Sequence, residues 1–545
     1  LGLSTLILLI FFRSVSTTLL SLSVVITGVL WSFGILYLLG YKITLLNALT
    51  PPLLVVIGIP NCIYFLNKYH STYRQTQNKN QSLIDMVSKM GIVTLFCNLT
   101  AAIGFAVFAF TQSAVLNEFG AVAGISIMMI FVISFILLPS ILSYLPAPAP
   151  AQTKYLDNKW LTLLLLKLEK WVLNYKSFVY GISLIIVIFS IAGIFKLRSE
   201  GFIVDDIPKT DKIYTDLKFF EKNFNGVMPL EIVVDTKKRG LLKSSLALVV
   251  FRKIDSLSQY ITAQKEMARP LSIPEALKFA RQGFYEGDTS NYLLPGESDY
   301  LIMSGYLKTK SDSNKNSLSN ILTTFMDTAR QSTRISINMA DAGTKKLPVI
   351  LNGIQAKANQ LFDSSKYKVQ LTGASITFLE GSHFIINGLK ESIFWAFLLI
   401  ALCMLYLFKS IRILFCSLIP NIIPLIVTAG IMGWVGVPLK PSTVLVFSVA
   451  LGIAVDVTIR FLVNYKQELA GNNYNVMVTV IQTIKHTGLS ILYTSMVLIA
   501  GFIIFCFSGF GGTQALGWLT SITLFVATLT NLLLLPVLLL VTKKK

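Results

Sequence analysis

The sequence predicts an α-helical polytopic membrane protein: about eleven transmembrane helices in two repeated halves, with one α+β domain outside the bilayer. Three observations predict it. Of 545 residues, 54% are hydrophobic and only 14% charged, at a mean hydropathy of +0.67; soluble proteins carry about 25% charge. So few charges cannot cover a water-facing surface of this size, and the composition also excludes disorder, collagen and a disulfide-rich secreted domain. Apolar runs of about 20 residues, enough to cross the ~30 Å hydrocarbon core, recur along the chain. Finally, the two groups of runs repeat each other residue by residue.

The runs fall at 1–12 (cut short), 17–39, 45–66, 91–111, 118–144, 177–197, 391–408, 413–435, 443–463, 488–509 and 513–541. They do not alternate apolar with polar residues, as Leu532–Leu540 illustrates, which excludes a β-barrel. The net charge of +20 is scattered among these runs, not gathered into one stripe, so it points to lipid headgroups and no nucleic acid. Arg13; Lys68, Arg74, Lys79 and Lys89; Lys154, Lys159, Lys167 and Lys170; Lys409 and Arg412; Lys466 and Lys485; and Lys543–Lys545 all fall on one side if every run crosses once. The opposite short loops carry few charges. The basic side is assigned to the cytoplasm of an inner (plasma) membrane. The C-terminus is then cytoplasmic and 198–390 lies outside, in the periplasm.

These runs divide the chain into a first membrane repeat, 1–144; a cytoplasmic linker and interfacial helix, 145–176; a lone transmembrane helix, 177–197; an extracytoplasmic domain, 198–390; and a second membrane repeat, 391–545. Leu145-Pro-Ala-Pro-Ala-Pro150 is a stiff, extended connection. After it, Trp160, Leu161, Leu164, Leu165, Leu168 and Trp171 mark one face of a helix expected to lie on the cytoplasmic leaflet.

At a constant shift of 396, Phe12-Arg13-Ser14 aligns with Phe408-Lys409-Ser410, Gly40 with Gly436, Ile63-x-Phe65 with Ile459-x-Phe461, and Tyr69 with Tyr465. At 397, Gly91 aligns with Gly488, Gly104-Phe105 with Gly501-Phe502, Gly120 with Gly517 and Pro139 with Pro536. Both copies run in the same direction, so an axis along the membrane normal relates them. The second copy opens with a lone helix and the outside domain; the first has neither and begins at Leu1, partway into a helix. These unequal fronts predict an N-terminally truncated chain lacking a helix and an outside domain of roughly 200 residues.

In the outside domain, strands are expected at 229–235, 300–307, 333–339 and 367–371. Helices are expected at about 240–263, 317–330 and 343–362. The order βαβ(α)βαβ predicts a split-βαβ, ferredoxin-like unit, a superfold that does not specify chemistry. No phosphate-binding glycine loop and no Ser/His/Asp spacing occurs, so the chain is not read as an enzyme. No cofactor or metal is expected: Cys62, Cys97, Cys403, Cys416 and Cys506 lie in apolar stretches without a CxxC pair. His70, His383 and His486 sit at membrane borders, and Glu118 reads as an interfacial residue.

A duplicated unit of one helix, an outside ferredoxin-like domain and five helices resembles the resistance–nodulation–division (RND) transporters, in particular their MMPL-type branch, which is similar to Patched-like proteins. The fourth helix of each half in that family ends in Gly-x-x-x-Asp-Tyr-x-x-x-Phe. Here the second copy reads Gly452-Ile-Ala-Val-Asp456-Val-Thr-Ile-Arg460-Phe461, with Val457 in place of Tyr. Phe219–Gly226 followed by Pro229–Asp235 looks like the first outside strand of this branch. The resemblance covers essentially the whole chain. It implies export driven by proton-motive force, with membrane lipids, protons and a lipid or other hydrophobic small molecule as partners, and a homo-oligomer as an open assembly state. The first copy departs from the pattern. Pro60 stands opposite Asp456 in Gly58-Ile-Pro-Asn-Cys62, that helix has no carboxylate, and Asn61 cannot carry a proton. Pro60 removes a helix hydrogen bond and is expected to kink the helix, as is Pro51-Pro52 near its outer end.

Asp456 stands out without any family. A carboxylate deep in a membrane must face protein or water and marks a functional site. At ~1.5 Å per residue it lies roughly 10 Å inside the cytoplasmic edge. Arg460, one turn on, shares its face. One reading is a structural Asp456–Arg460 pair, or Arg460 snorkelling to headgroups. The other is a proton-coupling switch at Asp456, with Arg460, Thr458, Thr494 and Ser495 as relay or pairing partners; ordinary helix-packing hydroxyls are the alternative for the last three. The functional expectation is a proton-coupled secondary transporter of lipid or another hydrophobic substrate. The alternative is a Patched-like lipid-binding receptor without vectorial transport.

Overall fold

The computed structural model describes residues 2–44, 46–111, 113–202, 206–224, 226–244, 246–299 and 324–541. The chain divides into two compact units, Leu1–Arg198 with Phe384–Lys545, and Ser199–His383. The first membrane half contains α1 (Gly2–Phe12), α2 (Val15–Leu38), α3 (Thr50–Thr76), α4 (Lys79–Ala106) and α5 (Ala114–Tyr144). The connecting α6 (Lys159–Asn174) and the lone α7 (Lys176–Ile194) follow. The smaller unit holds α8 (Lys212–Asn223), β1 (Met228–Asp235), α9 (Ala247–Thr262), α10 (Ile273–Phe284), β2 (Ser332–Met339), α11 (Gly343–Leu361) and β3 (Lys368–Thr372). The second membrane half follows: α12 (Ala374–Phe408), α13 (Ile411–Val435), α14 (Pro441–Gly471), α15 (Val476–Ile503), α16 (Gly511–Leu529) and α17 (Leu535–Val541).

Among the described residues, ten helical segments are long and apolar enough to cross a membrane, against about eleven expected. The difference is α1, whose 11 residues fall short of a bilayer's thickness. Several helices outrun their apolar runs, because a helix continues until its backbone is capped, not until its side chains turn polar. Thus α3 ends at Gln77, in the left-handed conformation, and α4 starts where the Asn78 side chain accepts from the Gln81 N–H at 3.1 Å. Pro51 and Pro52 do not kink α3. They stand in its first turn, where a missing N–H costs nothing, while Pro60 lies inside the helix.

The two halves share local conformations at the positions that the sequence aligns. Arg13 and Lys409 are both left-handed, at φ 48° and 50°. Ser14 and Ser410 then cap α2 and α13 by accepting from the Thr17 and Ile413 N–H groups. Short 3-10 turns, Val107–Phe110 and Ile504–Phe507, end α4 and α15. A Cβ at Gly120 would strike the backbone of Phe105 and Ala109, and one at Gly517 that of Phe502 and Cys506, the aligned residues. The halves part at their ends: α5 runs unbroken, whereas Thr530–Leu534 between α16 and α17 is a π-turn.

In α6 the buried face is Leu161, Leu165, Leu168 and Val172. Leu165 packs on Gly488 of α15. Trp160, expected on that face, is exposed; spacings of four, three and four residues select one stripe, and Trp160 lies about 100° off it.

The smaller unit carries an antiparallel sheet in the order β2–β1–β3. Both neighbours run against β1, so β2–α11–β3 is a split β-α-β with β1 between its strands. Alternation puts Met228, Leu230, Ile232 and Val234 opposite Met339, Ile337, Ile335 and Thr333 on one face. That face shares a core with Val250, Phe251, Ile254 and Leu257 of α9 and Leu347, Leu351 and Ile354 of α11. The strand expected at 300–307 and most of the helix expected at 317–330 lie outside the described residues. Within the latter, 327–330 is a turn that leads into β2, closed by the Arg330 N–H donating to the Asp327 carbonyl.

Candidate functional site: an intramembrane ion pair between the two halves

The helix that carries Asp456 is the most enclosed of the ten. Gly452 lets it meet α4 backbone to backbone: a Cβ on Gly104 would lie 2.9 Å from the Gly452 Cα. One turn beyond this crossing, Asp456 faces a small cavity lined by Ile57, Pro60 and Asn61 of α3, Cys97, Asn98 and Ala101 of α4, Ile453 of α14 and Leu498 of α15. The aligned pairs Pro60/Asp456 and Ala101/Leu498 both line it, so the cavity lies where the two halves meet on their shared axis.

Arg460 Nε donates to Asp456 Oδ1 at 2.7 Å. Arg460 is 1% exposed, so it does not snorkel to headgroups. Its guanidinium lies over the Tyr64 ring, 4.2 Å from the centroid. Its Nη1 has no hydrogen-bond partner among the described residues. Asn464 braces both neighbours, donating to the Tyr64 hydroxyl at 3.2 Å and to the Arg460 carbonyl at 2.8 Å. On the cavity's far side Asn61 donates to Asn98 Oδ1 at 2.7 Å, and Asn98 donates to the Thr94 carbonyl. Cys97 Sγ lies 3.8 Å from the Asp456 carbonyl oxygen.

The pair Asp456–Arg460 and the first-copy residues Pro60 and Asn61 are thus brought together, while the three expected hydroxyls are not bonded to the carboxylate. Thr458, two residues along the helix, turns to the opposite face and bonds Asn421 and Asn531. Thr494 gives its hydroxyl to the Ser490 and Ile491 carbonyls of its own helix. Ser495 Oγ is buried without a partner among the described residues. Glu118 accepts weakly from Asn47 at 3.5 Å. His70 is buried against Tyr155 of the linker, and His486 pairs with Glu468 near the surface.

Tyr64, Asn98 and Asn464 were not among the expected site residues. Tyr64 was legible: the 396 shift carries Arg460 onto it. Asn98 left a weaker signal, an amide inside an apolar run.

A model of the MMPL family matches residues 2–164 and 208–545. A search of curated proteins found no match to the chain. With ten apolar helices of membrane-crossing length among the described residues and a family match over nearly its whole extent, the chain belongs to the MMPL family, multi-pass membrane proteins of the RND transporter type.

Proposed function

We propose that the protein exports a lipid or other hydrophobic substrate, driven by proton-motive force, with Asp456 as the proton-coupling residue and Arg460 as its partner. The observation that carries this reading is the ion pair at the cavity between the halves, with the Arg460 guanidinium buried. Among the described residues, Asp456 is the one counter-charge bonded to the buried guanidinium. Protonating it leaves that guanidinium uncompensated, and an uncompensated buried charge costs about 3–5 kcal/mol. Proton uptake therefore drives Arg460 to a new environment, and α14 with it. A helix wedged against both halves turns that local event into a change of packing between them. One carboxylate suffices for such a switch; Asn61 and Asn98 in the first half supply a polar wall without a second proton site.

In this reading the basic helix ends face the cytoplasm of the inner (plasma) membrane, and 198–390 is a periplasmic domain. The split β-α-β of β2, α11 and β3 around β1 supports a ferredoxin-like assignment. The segments 1–144, 177–197 and 391–545 form the membrane part, and 145–176 lies on the cytoplasmic face.

The test is flux of a fluorescent lipid in proteoliposomes under an imposed pH gradient. Asp456→Asn keeps shape and hydrogen bonding but cannot lose a proton. It should abolish gradient-driven flux, compared at equal amounts of folded protein because this variant too leaves the Arg460 guanidinium uncompensated, at about 3–5 kcal/mol. Wild-type flux in that variant would remove Asp456 from the mechanism.

A further inference from the structure

We propose that Asn421, Thr458 and Asn531 form a binding site for a monovalent alkali cation of sodium type, inside the second membrane half. The Thr458 hydroxyl oxygen lies 2.8 Å from Asn421 Oδ1 and 2.6 Å from Asn531 Oδ1. A hydroxyl has one hydrogen to give. Neither amide can turn over to supply another, because each Nδ2 already donates to its own helix, Asn421 to the Ser417 carbonyl and Asn531 to the Ala527 carbonyl, both at 2.8 Å. Three oxygens therefore converge on one proton, and all three side chains are 0% exposed. Helix-packing amides that act only as polar glue give each acceptor its own donor. An excess of buried acceptors is the arrangement that a cation satisfies. Amide and hydroxyl oxygens are hard ligands, and a trio without a carboxylate suits a single positive charge. With the cation between the oxygens, Thr458 turns its hydrogen back to the carbonyl four residues earlier, a common threonine habit in helices.

The surrounding backbone is opened in the way that ion sites in membranes use. Pro420 and Pro424 both lie inside α13. Pro424 has no N–H for the Pro420 carbonyl, which instead accepts from Thr530 Oγ1 at 3.0 Å. Asn531 sits on the π-turn Thr530–Leu534. About two turns outward, Thr428 Oγ1 and Thr523 Oγ1 lie 2.6 Å apart, although each is also within bonding distance of a carbonyl of its own helix. From Asn421 to Thr428 these groups make a polar line about 10 Å long on α13. The first half has no such trio: the repeat puts Val25, Cys62 and Ser134 at the three positions. The site shares α14 with Asp456 but faces the other way, toward α13 and α16.

The proposal does not depend on the transport reading, because binding at equilibrium tests it. The full chain, purified in detergent, is titrated with sodium chloride against choline chloride at constant ionic strength. Melting temperature and bound 22Na are both followed. A saturable, sodium-specific rise in melting temperature with matching uptake is expected. Thr458→Val and Asn531→Ser, the latter installing the residue of the first half, should weaken it about tenfold or more, while Asp456→Asn retains it. If Thr458→Val does not fold, Asn531→Ser, which keeps a hydroxyl, carries the test. No sodium-specific effect in the wild type, or an unchanged effect in Asn531→Ser, overturns the proposal. So does loss of binding in Asp456→Asn with retention in Asn531→Ser, which would move the ion to the carboxylate.

Discussion

The guanidinium of Arg460 stands 4.2 Å from the centre of the Tyr64 ring, and the two residues hold the same place in the two halves, 396 positions apart. The repeat axis thus brings a cation onto an aromatic face away from water, where such a contact is worth about 2 kcal/mol. Tyr64→Leu should destabilise the protein by about that amount. Tyr64→Phe, which keeps the ring and loses only the Asn464 hydrogen bond, should cost about 1 kcal/mol or less. Equilibrium unfolding in mixed micelles measures both; equal losses would show that the ring face contributes nothing.

Removing one member of the ion pair separates a structural role from a switching one. Arg460→Met leaves the Asp456 carboxylate, 13% exposed, without its partner and should cost up to about 3–5 kcal/mol. Arg460→Met combined with Asp456→Asn should recover most of it, since neither charge remains. Additive losses in the double variant would mean that the two groups do not interact.

The crossing of α4 and α14 leaves no room for a methyl group. Gly104→Ala meets the Gly452 backbone and should cost about 1–3 kcal/mol. The aligned change, Gly501→Ala, has Val56 side-chain atoms as its nearest neighbours, and both residues line an apolar crevice. It should cost less, and melting temperatures of the two variants decide the order.

The smaller unit has an acid-sensitive cluster. Glu275 is partly buried, which alone would raise its pKa, but the Tyr292 hydroxyl, Lys278 and Arg269 hold it below its ordinary 4.5. Lys278, also bonded to Asp255, is held above its ordinary value despite its burial. A depressed carboxylate adds stability that is complete above its unfolded pKa and is lost as pH falls through the folded one. Amide exchange in α9 and α10 should therefore quicken below about pH 4.5. Glu275→Gln should be less protected at neutral pH and should show a flatter acid response. An unchanged acid response in that variant would assign the loss to other groups.

Much of the fold was legible because membrane burial writes itself into composition. Each spanning helix must be apolar over the bilayer's width, and the duplication left Gly, Pro and capping residues at spacings of 396 and then 397. The sheet strands at 228–235, 332–339 and 368–372 were equally legible from alternation. So was Asp456, because a carboxylate inside an apolar run is too costly to stand there without a partner or a task. Sequence by itself determined these things, since each follows from residues close along the chain and from the solvent they must match. Tertiary structure alone decided which way each polar side chain turns. Two residues along a helix is about 200° of rotation, so Asp456 faces Arg460 and the cavity while Thr458 faces Asn421 and Asn531. Only the docking of α14 between α4 and α13, hundreds of residues apart in the chain, says what each face meets. That docking leaves Arg460 1% exposed and away from the headgroups, with α4 and α14 closed to backbone contact at Gly104 and Gly452.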